Sequence, residues 1–167
     1  MQRSLVGSEM CIRDRVRRCV ESGIPVLGHL GFTPQLMNTI GGHKIQGKTS
    51  EKIEQILESA KKLEEAGCFA IVLELMPSDS AKYITENLKV PTIGIGAGNG
   101  CDGQVLVYQD MLGMFSDFTP KFVKRYANIG EVMKEAFQKY MEEIQSGAFP
   151  SSEHEYKIDD DIIEKLY

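Results

Sequence analysis

Three short apolar segments constrain the fold of this chain more than any other feature. They cover residues 24–31, 69–77 and 91–98, and each carries a chemically specific feature toward its C-terminal end: His29, Glu74, and the glycines at 94, 96 and 98, respectively. Continuous apolar runs of this length are typical of strands that are buried on both faces, as in parallel sheets. Parallel α/β folds place their active sites at the carboxyl ends of such strands. We therefore expect the chemistry of this chain at the ends of these segments.

The segments between the strands have helical patterns. One stripe at spacings of three and four residues consists of Ile53, Ile56, Leu57, Ala60 and Leu63. It predicts a helix that begins at Ser50 as N-cap and ends at Gly67. Further helices are predicted at residues 77–88, 121–128 and 130–146, and a fourth strand at 104–108. The order strand, helix, strand, helix, strand predicts an α/β fold with parallel strands.

The connection to the fourth strand is short for a parallel crossover. Only about eight residues, 96–103, are available, whereas such a crossover usually needs about a dozen or more. Two alternatives stay open: a short strand after a tight loop, or a helix within residues 104–112. Four strands are half of the eight that a closed barrel needs, so they form either an open sheet or half of a barrel.

Composition limits the partners of this chain. The net charge of its 167 residues is −5, and its scattered Lys and Arg form no patch for nucleic acid. No apolar stretch reaches the roughly 20 residues of a membrane span. The four cysteines lack the close pairs of a zinc site or a disulfide framework. We expect a cytoplasmic protein with reduced thiols and neither nucleic-acid nor membrane partners.

The first fifteen residues differ from the rest of the chain. Residues 1–15 show no helical or strand periodicity, and they lack the apolar core of a signal peptide. They resemble the translation of a sequencing adapter. We therefore expect a non-native segment at 1–15, a partial barrel domain at 16–150 and an acidic peripheral tail at 151–167. The alternative for residues 1–15 is a genuine N-terminal arm.

Two side chains at the predicted strand ends are candidates for function. Glu74 lies within an apolar string, where a carboxylate is costly to bury unless it is paired or used. It is the candidate catalytic residue, and the alternative is a paired carboxylate without a catalytic role. His29 is either a hydrogen-bonded core residue or a substrate contact. The glycines of residues 94–98 do not form the dinucleotide motif, because Asn99 replaces its last glycine. We interpret them as positions where a ligand approaches the backbone.

Six motifs in a fixed order resemble the ketopantoate hydroxymethyltransferase (3-methyl-2-oxobutanoate hydroxymethyltransferase) family. They lie at residues 25–35, 41–47, 72–77, 93–99, 102–107 and 110–113. Each motif alone is weak, but their common order over residues 16–155 is a strong signal.

The resemblance implies a specific fold and reaction. The fold would be the C-terminal half of a (β/α)8 TIM-type barrel, with about four parallel strands and flanking helices. The family transfers a hydroxymethyl group from methylenetetrahydrofolate to 3-methyl-2-oxobutanoate, giving 2-dehydropantoate for pantothenate and coenzyme A. Glu74 falls on the family's catalytic base and His29 on a histidine near the substrate.

The resemblance also implies a cofactor and an assembly. The family uses Mg²⁺ (magnesium), whose ligands correspond to positions upstream of Val16, so we expect no metal ligand in this chain. We expect the chain to be truncated and inactive alone, and the intact protein to be a homo-oligomer. Two alternatives stay open: another Mg²⁺-dependent α-keto-acid barrel lyase, and a non-catalytic half-barrel that serves as an assembly module. The motifs at residues 41–47 and 102–104 favour the hydroxymethyltransferase over the lyase.

Overall fold

The structure, a computed structural model, describes residues 9–33, 44–114 and 118–158. The chain divides into two units, of which the first comprises residues 1–107 and 121–123 and the second residues 108–120 and 124–167. The predicted loop at residues 31–49 is described only at its two ends, because residues 34–43 lie outside the described part. The last residues of the predicted tail, 159–167, also lie outside it.

The first unit is built on a parallel sheet. Its strands are β1 (Leu27–Gly31), β2 (Ala70–Glu74), β3 (Thr92–Ile95) and β4 (Gly103–Gln104). They follow one another in the order β1-β2-β3-β4, and all neighbours are parallel. Consecutive parallel strands with helices between them are the repeating arrangement of a (β/α)8 barrel. This confirms the α/β fold and the partial TIM-type barrel.

Helices cover one face of this sheet. They are α1 (Glu9–Glu21), α2 (Ser50–Glu65) and α3 (Ser78–Glu86). The core cluster joins Leu57 and Leu63 of α2 and Ile84 of α3 to Ile71 and Leu73 of β2. The apolar stripe predicted for α2 is therefore confirmed as its buried face.

The described cysteine side chains agree with reduced thiols. Cys19, Cys68 and Cys101 are free. Cys68 belongs to the core cluster, and its burial raises the pKa of its thiol. A thiol in this environment packs as a small apolar side chain.

The N-cap of α2 is Thr49, and not Ser50 as predicted. The Thr49 backbone is extended, and its Oγ1 accepts a hydrogen bond from the Lys52 N–H at 3.3 Å. We expect Thr49→Ala to lower the free energy of unfolding by about 1 kcal/mol, because the helix loses its capping acceptor. Ser50→Ala is the matched control and should change it by less than about 0.5 kcal/mol. Urea denaturation measures both, and equal losses would contradict the assignment of the cap.

Helix α1 includes part of the N-terminal segment in which the sequence showed no helical periodicity. It covers residues 9–21, so the expectation that residues up to 15 lack helical structure is wrong for residues 9–15. The physical reason is an apolar stripe interrupted by charges: Ile12, Val16 and Val20 recur at intervals of four, and Val16 packs against the core. The boundary at residue 15 between native and non-native sequence stays a prediction.

The region after β3 differs from the prediction. Strand β4 has two residues, because the connection from β3 contains only residues 96–102. The predicted strand at 104–108 is therefore wrong beyond Gln104. Helix α4 (Tyr108–Met111) follows, so both of the open alternatives are present, a short strand and a helical turn.

The second unit contains one long helix. Helix α5 (Ile129–Ser146) confirms the prediction at 130–146, and Gly147 ends it in the left-handed conformation. The helix predicted at 121–128 is wrong, because this segment contains only a turn at residues 121–122 and a bend at Tyr126. The Tyr126 N–H donates to the Met111 carbonyl instead of a helical partner, and the N–H of Ile129, the first residue of α5, donates to the Leu112 carbonyl, both at 2.8 Å.

Two further features concern the surface of the described chain. The apolar side chains of α5, among them Val132, Phe137 and Met141, are exposed. No described helix is both long and apolar enough to cross a lipid bilayer.

Candidate active site

His29 and Glu74 lie beside each other at the carboxyl ends of two neighbouring strands. In the parallel register, Gly31 of β1 lies opposite Glu74 of β2, and His29 lies opposite Val72. Alternate residues of a strand project from the same face, so His29 and Glu74 share one face of the sheet. His29 Nε2 lies 2.8 Å from Glu74 Oε2, which is a hydrogen bond. The sequence singled out both residues, but not their contact.

The hydrogen bond fixes the roles of the two groups. An ionised carboxylate only accepts hydrogen bonds, so the imidazole donates through Nε2–H when Glu74 is ionised. The side chain of Glu74 is 17% exposed and that of His29 is 38% exposed. Within the described part of the chain, the second carboxylate oxygen, Oε1, has no hydrogen-bond partner. The pair thus presents a held carboxylate with one oxygen free to accept a proton.

Gly31 has a structural role at this site that the sequence analysis missed. Its φ is +92°, and a Cβ at this position would overlap the carbonyl oxygen of Glu74. The neighbouring Phe32 N–H donates to that same carbonyl at 2.9 Å. Only glycine permits this close approach of the two backbones. The signal in the sequence was a glycine directly after the last residue of an apolar strand.

The glycines of residues 94–98 have close neighbours among the protein's own atoms, whereas the approach of a ligand at these positions stays a prediction. A Cβ at Gly96 would lie 2.9 Å from the Phe122 ring, and one at Gly98 would overlap Ser78. A Cβ at Gly94 would lie 3.0 Å from Cys101 Sγ. These glycines therefore permit tight internal packing.

The described residues do not fit a magnesium site. They contain no group of three or more His, Cys, Asp or Glu side chains that could hold a metal ion. Asp102 already has a structural partner, because its Oδ2 accepts a hydrogen bond from the Thr92 N–H at 2.8 Å. A magnesium site would need ligands other than these residues.

A parallel α/β fold with candidate catalytic side chains at the carboxyl ends of adjacent strands is the arrangement found in (β/α)-barrel enzymes. Comparison with known proteins narrows this class. A family model described as ketopantoate hydroxymethyltransferase matches residues 4–152, and the chain belongs to this family.

Curated relatives agree with the family. A 3-methyl-2-oxobutanoate hydroxymethyltransferase of Enterococcus faecalis is 55% identical over 161 residues, which are 96% of this chain and 58% of the relative. The protein of the same name from Clostridium acetobutylicum is 57% identical over 160 residues, 96% of this chain and 57% of the relative. That of Clostridioides difficile is 54% identical over 163 residues, 98% of this chain and 59% of the relative. The chain thus spans somewhat more than half the length of these relatives.

Proposed function

We propose that this chain carries the proton-transfer site of a hydroxymethyltransferase. Its substrates are 3-methyl-2-oxobutanoate and methylenetetrahydrofolate, and its product is 2-dehydropantoate, a precursor of pantothenate. The observation that carries the proposal is the His29–Glu74 hydrogen bond of 2.8 Å at the carboxyl edge of the sheet. Family membership supports the choice of substrates.

Glu74 acts as the general base in this proposal. Its free Oε1 removes the proton from C3 of the keto acid, and the electrons of the C–H bond move to the C2 carbonyl to form an enolate. The enolate carbon forms a C–C bond to the methylene carbon of the folate. Both bonds from this methylene carbon to the folate nitrogens break. Water supplies the hydroxyl group, and the two folate nitrogens take up the other proton of water and the proton held by Glu74, so that tetrahydrofolate and 2-dehydropantoate are the products.

His29 holds the base in position. In the neutral imidazole that donates through Nε2, the other nitrogen, Nδ1, carries no proton and can only accept. A neutral His29 bonded to Glu74 therefore cannot donate to a substrate oxygen at the same time. The predicted contact with the substrate therefore requires one of two states of His29. Either His29 is an imidazolium, or it exchanges its hydrogen bond to Glu74 for one to the substrate. The exchange fits the step at which Glu74 has taken up a proton.

The proposal includes the expected cofactor and setting. Mg²⁺ is proposed as the cofactor of the intact enzyme, held by ligands other than the described residues of this chain. The intact enzyme is proposed to be a cytoplasmic homo-oligomer. No part of the role of Glu74 depends on where the metal binds.

A chimera tests the function. We expect a protein in which this chain replaces the matching 161 residues of the Enterococcus faecalis relative to form 2-dehydropantoate from both substrates. The 167-residue chain alone is expected to form none, because the described residues provide no metal site. Product is measured by mass spectrometry, with the unmodified relative as the positive control. A folded chimera without turnover would contradict the function, and turnover by the chain alone would contradict the need for further residues.

A non-catalytic assembly module is the second candidate. The exposed apolar side chains of α5 favour it, because such surfaces mark contacts with other chains. The chimera separates the two candidates, because an assembly module would give a folded chimera without any turnover. The lyase alternative has no observation in its favour now that the family is known.

A further inference from the structure

The residue that follows Glu74 has an unusual backbone. Leu75 has a φ of +53°, and it is the one non-glycine residue with a positive φ in the described part of the chain. This left-handed conformation is unfavourable for residues with a Cβ, and it persists where surrounding structure imposes it. Such conformations concentrate at functional sites, so the observation calls for a physical explanation.

The surrounding structure does impose it, through backbone hydrogen bonds from three other segments. The bonds are Phe32 N–H to Glu74 O (2.9 Å), Leu75 N–H to Ile95 O (2.9 Å), Gln46 N–H to Leu75 O (2.9 Å) and Met76 N–H to Gly96 O (3.2 Å). The segment after β1, the segment before α2 and the end of β3 thus each bond to residues 74–76.

The segment before α2 is itself anchored. Ser80 Oγ, which is buried in α3, donates to the Gly47 carbonyl at 2.8 Å. The segment that contains Gln46 is therefore bonded to α3 through the Gly47 carbonyl and to Leu75 through the Gln46 N–H. The hydrogen bonds from these segments thus converge on the turn at Leu75, which directly follows Glu74, the residue that carries the carboxylate.

We propose that Leu75 is a positioning residue, whose left-handed backbone directs the Glu74 carboxylate toward His29. The catalytic meaning of this role rests on the function proposed above, but the geometric claim does not. The role belongs to the backbone conformation and not to the side chain, which is only half-buried. Residues that tolerate the left-handed conformation should therefore preserve the pair, and residues that oppose it should break the pair.

A substitution series in the 167-residue chain separates the two roles. Glycine and asparagine tolerate a positive φ, alanine tolerates it less, and β-branched valine opposes it. We expect Leu75→Gly and Leu75→Asn to keep the wild-type ¹⁵N chemical shifts of the His29 ring. Leu75→Ala keeps the Cβ of leucine and should also keep these shifts, whereas Leu75→Val should move them toward the shifts of Glu74→Ala, in which the hydrogen-bond acceptor is absent. His29→Gln identifies the signal among the three histidines of the chain.

The outcomes are distinct. If the Leu75 side chain mattered instead, Leu75→Gly and Leu75→Ala would be equally disruptive and Leu75→Val the mildest, and that order would overturn the proposal. Unchanged His29 shifts in Leu75→Val would also overturn it. Should Leu75→Val fail to fold, Leu75→Gly decides, because loss of the wild-type shifts in Leu75→Gly would overturn the proposal.

A second measurement connects the geometry to the reaction. In the chimera, exchange of the C3 proton of 3-methyl-2-oxobutanoate should lose at least 10-fold in kcat with Leu75→Val, at a nearly unchanged KM, and less than 3-fold with Leu75→Gly. Equal losses in both variants would contradict the positioning role. If the unsubstituted chimera exchanges nothing, the proposed function fails, whereas the chemical-shift series still tests the geometry of Leu75.

Discussion

Replacing Glu74 with Gln is expected to reduce exchange of the C3 proton of 3-methyl-2-oxobutanoate with solvent deuterium by about 10²–10⁴-fold, the usual contribution of a general base. Glutamine has the same shape as glutamate, and its amide oxygen still accepts the hydrogen bond from His29. It has no carboxylate to take up a proton, so the variant isolates proton removal from positioning. Proton NMR in deuterated buffer follows the exchange in the chimera, without the folate.

The matched control for this variant is Glu86→Gln. Glu86 is exposed near the end of α3, where it makes an i, i+4 ion pair of 3.9 Å with Lys82. Exposed pairs of this kind contribute little to stability, so exchange should be unchanged. Loss of exchange in Glu74→Gln alone identifies the base, whereas exchange retained in Glu74→Gln would remove Glu74 from that role. Loss in both variants would indicate a general effect of charge.

The second large effect is expected on stability. Gly31→Ala should lower the free energy of unfolding by about 3 kcal/mol or more, because the new Cβ overlaps the Glu74 carbonyl and forces two strands apart. Part of the loss, about 1–2 kcal/mol, is the cost of a left-handed backbone for any residue with a Cβ. Urea denaturation of the 167-residue chain measures the total.

Gly23→Ala provides the control that separates the two contributions. Gly23 has a φ of +79°, close to that of Gly31, but no atom lies within 4 Å of a Cβ placed there. The control should therefore show only the backbone cost of about 1–2 kcal/mol. The difference between the variants measures the overlap with Glu74. If both variants lose the same free energy, the close approach of β1 and β2 at Gly31 is not required.

The sequence alone predicted the features of the fold and the site that depend on side-chain chemistry and on hydrophobic periodicity. The stripe of α2 follows from spacing alone, and Glu74 stands out because a carboxylate interrupts an apolar strand. The contact between His29 and Glu74 was not predictable, because it depends on a register in which Gly31 faces Glu74. Hydrophobic patterns indicate that two strands pair, but not which of their residues lie opposite each other.

The wrong predictions have a common physical origin. In the segment 121–128, which was expected to be a helix, the Tyr126 N–H donates to the Met111 carbonyl, a partner outside the segment. The left-handed turn at Leu75 is likewise maintained by hydrogen bonds from distant segments. Local propensity is a weak prior that tertiary contacts override, and no single-residue preference reports those contacts.

The two halves of the candidate site are 45 residues apart in the chain, with all of α2 between them. Closing a loop of this length costs conformational entropy before any contact across it is gained. One hydrogen bond between His29 and Glu74 cannot offset that entropy, whereas the burial of α2 against β2 can. We therefore expect the site to form late in folding: the hydrophobic contacts of α2 should bring β1 and β2 together first, and the reactive pair should form only once that crossover is complete.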